Sequence, residues 1–239
     1  MRRQGRAGHA RPSVSDPMGV ALRSAHRSLE QDRATPVIVL WCAGADRELA
    51  RRLIGCELAG LGEPADAARV INHCRSCGST NHGRPVLSPI PGTVTPHVSI
   101  SYAEDLTVVA LTEAGPVGVD VERYDAASFP GFEAVAAHEK EARHNTRTRT
   151  ITWIRKESLL KATGRGLTVD PRLILLTEPH EPPGLVEWTA LDPPYASVWM
   201  MDVEITSAHV AAVTVLCNDP PSLVVKREDL AARPQQASL

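Results

Sequence analysis

Apolar positions along this chain alternate between two spacings. Residues 37–41 form a continuous apolar run of strand length, and from 46 to 61 the residues Leu49, Leu53, Cys56 and Ala59 recur near helical spacing. Short β-branched runs predict three more strands at 98–100, 107–111 and 117–122. Two helices are predicted next, over 133–144 and 148–163, with Gly164 placed to end the second in a left-handed conformation. Strands follow near 173–176, 187–191, 198–205 and 210–216. Helices and strands thus come in two batches, compatible with two similar α/β halves, although no internal repeat is legible.

Composition narrows the class. With 43% hydrophobic residues in 239, the chain can bury a core as one large or two small domains, and with 4% aromatics that core is aliphatic. A net charge of -2 argues against broad electrostatic binding to nucleic acid. No apolar run reaches the length of a membrane span. Five cysteines, an odd count without a secretory signal, favour a reducing cytoplasm. In residues 1–35, Arg2, Arg3, Arg6, Arg11, Arg23, Arg27 and Arg33 outnumber Asp16, Glu30 and Asp32, which predicts a disordered tail. Residues 219–239 are polar and proline-bearing, and read as a second frayed tail.

Two short segments carry chemistry. In Gly118-Val119-Asp120-Val121-Glu122 the two acids share one side of a strand. In Trp153-Ile154-Arg155-Lys156-Glu157-Ser158-Leu159-Leu160-Lys161, the residues Trp153, Glu157 and Lys161 share one stripe of a helix. A lone D-x-E is ordinarily a solvated strand end, and a lone Glu–Lys pair at i,i+4 is ordinarily an exposed ion pair. Their occurrence together, with room between 120 and 157 for two helices to bring the third acid back, points to one shared site. Converging acids without histidine suit a hard cation such as magnesium, and adjacent lysines suit phosphates.

G-V-D-V-E followed by W-I-R-K-E-S-L-L-K resembles the signature of the 4'-phosphopantetheinyl transferases, in particular the larger single-chain type that activates peptide and polyketide synthases. Two further blocks stand upstream in the same order, His82-Gly83-Arg84-Pro85 and His97-Val98-Ser99-Ile100-Ser101-Tyr102. The resemblance extends over residues 46–176. It implies an α+β fold of two similar α/β halves, 36–112 carrying nucleotide contacts and 113–218 carrying the metal site, with the active site between them. It also implies Mg²⁺ held by Asp120, Glu122 and Glu157, and coenzyme A contacted by Arg51, Arg84, Ser101, Tyr102, Lys156 and Lys161, with Arg52 as a further candidate. Glu157, Lys161 and Glu141 are the implied catalytic residues. Glu141 would stand as general base, with Glu139 able to fill the same place and water on the metal as the competing base. Trp153 reads as a packing residue.

The implied reaction is that of a holo-acyl-carrier-protein synthase. It moves 4'-phosphopantetheine from coenzyme A to a serine of an apo acyl or peptidyl carrier protein, and 3',5'-ADP leaves. The implied protein is a monomer without nucleic-acid or membrane partners. The chain departs from the pattern at Tyr102, where relatives carry histidine, so a degenerate relative that binds coenzyme A or a carrier without catalysis is the alternative. Cys74-Arg75-Ser76-Cys77, with His73 and His82 nearby, supplies half of a zinc site and reads more simply as a reduced thiol pair in a loop.

Overall fold

The computed structural model describes residues 34–62, 69–74, 77–80, 83–141, 145–188 and 197–230. All the elements below belong to the unit Thr35–Leu239, which is distinct from Met1–Ala34. The first apolar run becomes β1 (Pro36–Ala43), and the helical pattern becomes α1 (Arg47–Gly60). Asp46 caps α1 by accepting the N–H of Glu48, and Ala50, Leu53, Ile54 and Leu58 form its buried stripe. A hairpin of β2 (Val70–His73) and β3 (Arg84–Leu87) follows, where no strands were anticipated. Next come β4 (His97–Ala103) and β5 (Leu106–Thr112), joined antiparallel, and then β6 (Val117–Arg123).

The first sheet has the order β11-β1-β5-β4, with β11 (Ser222–Arg227) running parallel to β1. The second has the order β6-β10-β9, built from β9 (Val198–Glu204) and β10 (His209–Leu216) beside β6. Between the sheets lies an aliphatic core that includes Val37, Val39, Val108, Val119, Val121 and Val213. Helix α1 covers the outer face of the first sheet through Leu53, Ile54 and Leu58. Helix α3 (Thr146–Thr163) covers the second, packing Leu159 and Leu160 with β7 (Ile174–Leu176), β8 (Leu185–Trp188) and Met200. This is an α+β arrangement of helix, sheet, sheet and helix. Asn145 caps α3 by accepting the N–H of Thr148, and Gly164 ends it with φ 68°.

The helix anticipated over 133–144 is shorter than its pattern suggested: α2 spans Phe132–Ala136. Ala137 turns extended, and two side chains hold the chain there. Lys156 Nζ takes the Ala136 carbonyl at 2.7 Å, and Glu141 accepts the His138 N–H at 2.9 Å. Residues 142–144 lie outside the described residues. The strand expected at 187–191 is shifted toward the N-terminus, and 189–191 are likewise outside the described residues.

The frayed tail expected from Asp219 is also corrected. Residues 222–227 complete the first sheet, Lys226 pairs with Glu57 at 2.7 Å, and Arg52 donates to the Leu230 carbonyl at 2.6 Å. Leu230 is buried in the α1 core. Strand β11 reads Ser-Leu-Val-Val-Lys-Arg inside a polar stretch, and as an edge strand it keeps most of these side chains exposed. Of the N-terminal tail expected over 1–35, residues 1–33 lie outside the described residues.

Candidate active site

Strand β6 shows two faces. Val117, Val119 and Val121 enter the core between the sheets, while Gly118, Asp120 and Glu122 alternate onto the side of α3. Glycine at 118 lets the backbone of α3 approach β6 more closely than any side chain would permit. Ser158, fully buried, ties the same turn of helix to β10 through a 2.7 Å hydrogen bond with Thr214. The helix is thereby fixed in register, and the residues on its β6 side, Glu157 and Lys161, come to Asp120.

Lys161 Nζ bonds Asp120 Oδ1 at 2.6 Å, Ser101 Oγ at 3.0 Å and the Val119 carbonyl at 3.1 Å. One ammonium offsets three acids, and that is too little. Burial, with Asp120 nearby and Lys161 opposing, pushes the Glu157 carboxyl up to about 7. Burial, then the charge of Asp120, pushes Glu122 up to about 7 as well, again against Lys161. Two buried oxygens, Asp120 Oδ2 and Glu157 Oε1, have no hydrogen-bond partner among the described residues. Orphan carboxylate oxygens in an acid-rich corner are what a hard divalent cation would satisfy, so the donor set fits one. The side chains as they stand do not close into a cage: among the described residues, no three His, Cys, Asp or Glu are grouped as ready metal ligands.

Beside the acids opens a cavity of about 460 Å³, lined by Arg84, Ser99, Lys161, Gly164, Arg165 and Cys74 among others. Arg84 opens β3 and reaches the Val117 carbonyl at 3.4 Å. Gly83, at φ 106°, allows its backbone to pass against His73 and Cys74. The five cysteines form no disulfide. Arg75, Ser76 and His82 of the half zinc pattern lie outside the described residues.

Several anticipated residues sit elsewhere. Lys156, expected at coenzyme A, is fully buried and engaged with Ala136 and with Glu141 Oε1 at 2.7 Å. Glu141, expected as the base, is buried, with one oxygen paired to Lys156 and the other accepting the His138 N–H. Arg52 holds the C-terminal segment instead of facing a ligand. Tyr102 alternates away from Ser101 and stands near Asp46, Arg47 and Arg51; burial raises its phenol pKa. Arg51 is exposed and paired with Glu48 at 3.4 Å. Trp153 packs edge-on against Phe132, as anticipated.

Sequence reasoning missed Arg155. It is buried, binds both oxygens of Asp202 at 3.0 and 2.6 Å, and donates to four carbonyls between Thr177 and Glu181. Its partner lies 47 positions away, and no local signal announces it.

An acid corner opening onto a cationic cleft has the chemistry of a site for a divalent ion and a phosphorylated ligand. Residues 116–214, which run from the start of β6 into β10, match the model of the 4'-phosphopantetheinyl transferase superfamily. It is also 27% identical over 156 residues to the 4'-phosphopantetheinyl transferase psf-1 of Bacillus pumilus. That match covers 56% of this chain and 63% of the relative. Among the described residues, no helix is long and apolar enough to cross a membrane.

Proposed function

We propose that the chain transfers 4'-phosphopantetheine from coenzyme A to a serine of an apo acyl or peptidyl carrier protein, releasing 3',5'-ADP. The observation that carries this reading is the meeting of Asp120, Glu122, Glu157 and Lys161 at the edge of a cleft that also holds Arg84 and Arg165. Asp120, Glu122 and Glu157 would hold Mg²⁺, which would supply charge neutralisation at the pyrophosphate when bound. Lys161, already at the acid corner, stabilises charge on the departing nucleotide through its ammonium. Arg84, on the cavity wall, binds the nucleotide end. The site lies between β4 of one sheet and β6 of the other, which fits two halves contributing to one centre in a monomer.

Intact-mass analysis tests the proposal. The protein, coenzyme A and Mg²⁺ are incubated with a panel of apo carriers, and one carrier is expected to gain the phosphopantetheine mass. Asp120→Ala and Glu157→Ala are expected to abolish the gain while remaining folded. Binding of coenzyme A without any mass gain across the panel would instead make the chain a binding protein.

A further inference from the structure

Ser101 was expected to touch phosphate, yet the structure gives its hydroxyl a different occupation. The Oγ–H donates to Asp120 Oδ1 at 2.8 Å, and the oxygen accepts from Lys161 Nζ at 3.0 Å and from the Val121 N–H at 3.3 Å. A serine hydroxyl has one hydrogen and two lone pairs, so its capacity is filled. The side chain is 5% exposed. Ser99, two positions earlier on the same face of β4, accepts the Val119 N–H at 3.0 Å. These two hydroxyls bond successive outward N–H groups along the β6 edge that β10 does not pair. Ser101 alone adds a bond to a carboxylate. With Oδ1 held by Ser101 and Lys161, the rotation of the Asp120 carboxylate is set, and the buried Oδ2 is left without a partner.

We propose that Ser101 is a positioning residue: its hydroxyl fixes the Asp120 carboxylate so that Oδ2 is presented to a divalent cation, and it does not itself bind the phosphorylated substrate. This rests on the metal-dependent reading above. Losing the hydroxyl leaves the carboxylate held by Lys161 alone and the Val121 N–H without its acceptor, so the cation loses part of the preorganisation of its ligand. Coenzyme A, held by the arginines of the cleft, does not.

The test uses the full chain and Mn²⁺ as a spectroscopically visible cation, titrated without coenzyme A and followed by electron paramagnetic resonance. Coenzyme A binding without metal is measured separately by calorimetry. Ser101→Ala is expected to weaken Mn²⁺ about tenfold while changing coenzyme A affinity less than about twofold, the scale seen when a group supporting a metal ligand is removed. Ser101→Thr, which keeps the hydroxyl, is expected to recover most of the metal affinity. Ser99→Ala, which loses a strand contact without touching Asp120, is expected to leave Mn²⁺ affinity near that of the parent. Circular dichroism checks folding, and Ser101→Cys, nearly isosteric with a poor hydrogen-bonding group, replaces the alanine variant if that one fails to fold. Unchanged Mn²⁺ affinity in Ser101→Ala, or a loss confined to coenzyme A, overturns the proposal. A parent chain that binds Mn²⁺ but modifies no carrier overturns the transferase reading alone; a parent that binds no Mn²⁺ overturns both.

Discussion

Gly118 lies directly beneath Ser158: a Cβ on the glycine would stand 1.9 Å from the Ser158 carbonyl oxygen and 2.4 Å from the Ala162 nitrogen. Both are helix backbone, so neither can swing aside. Gly118→Ala must lift α3 from β6, at a cost of about 2–3 kcal/mol. Because Glu157 and Lys161 ride on the lifted turn, carrier modification should fall about a hundredfold, since displacement of about an ångström is enough for that. Chemical denaturation and transfer rates at a temperature where the variant is folded check the two effects separately.

The acid corner should make stability fall with rising pH. Glu122 and Glu157 titrate near 7 in the folded chain against an ordinary value of 4.5, so between those values the native state holds more protons than the unfolded one. Their contribution is therefore complete below the unfolded value and is lost as pH rises through 7. Metal-free protein should melt at a lower temperature at about pH 8 than at about pH 5, and Glu157→Gln should flatten that fall. Added Mg²⁺ should raise the melting temperature more at the higher pH, because protons and cation compete for the same oxygens. Scanning calorimetry with and without Mg²⁺ measures both, and a melting temperature that climbs across this range would contradict the reading.

Much of this arrangement was legible in the letters, because it is local and periodic. Alternation put Asp120 and Glu122 on one face, the four-residue stripe put Glu157 beside Lys161, and Gly164 marked the helix end. Even Gly118 carried a signal, since glycine inside a β-branched strand often marks a close backbone approach. What escaped was long-range. Nothing near Lys156 says that it will turn inward to Glu141, and nothing near Arg155 points to Asp202. Strand β11 was missed for a related reason: its partner β1 lies at the far end of the chain, and a parallel edge strand needs no apolar alternation.

The Lys156–Glu141 pair should prove structural. It is buried on both sides, and burial lowers the Lys156 pKa even against the pull of Glu141. Lys156→Met leaves the Glu141 carboxylate buried without its cation and should cost about 3–5 kcal/mol. The double variant Lys156→Met/Glu141→Leu, which removes both charges, should recover a large part of that loss. Glu141→Gln should likewise show its effect in the denaturation midpoint, while the turnover of the folded fraction changes less than about threefold. A collapse of turnover in a fully folded Glu141→Gln protein would restore this residue as the base.

Removal of β11 tests how far the C-terminal segment belongs to the fold. A chain ending before Ser222 loses the parallel partner of β1, and the β1 backbone groups then form an open edge beside an apolar core. It also loses Leu230, whose burial is worth about 1.5–3 kcal/mol, and strands Glu57, 8% exposed, without Lys226. Arg52 loses its carbonyl acceptor on the same surface. The truncated protein should melt at a lower temperature and aggregate through the uncovered edge, which light scattering during refolding would record. Lys226→Ala alone should cost less, about 1 kcal/mol, because the ammonium is partly solvated and water can reach its place. A truncated chain as stable and monodisperse as the parent would show that the first sheet ends at β1.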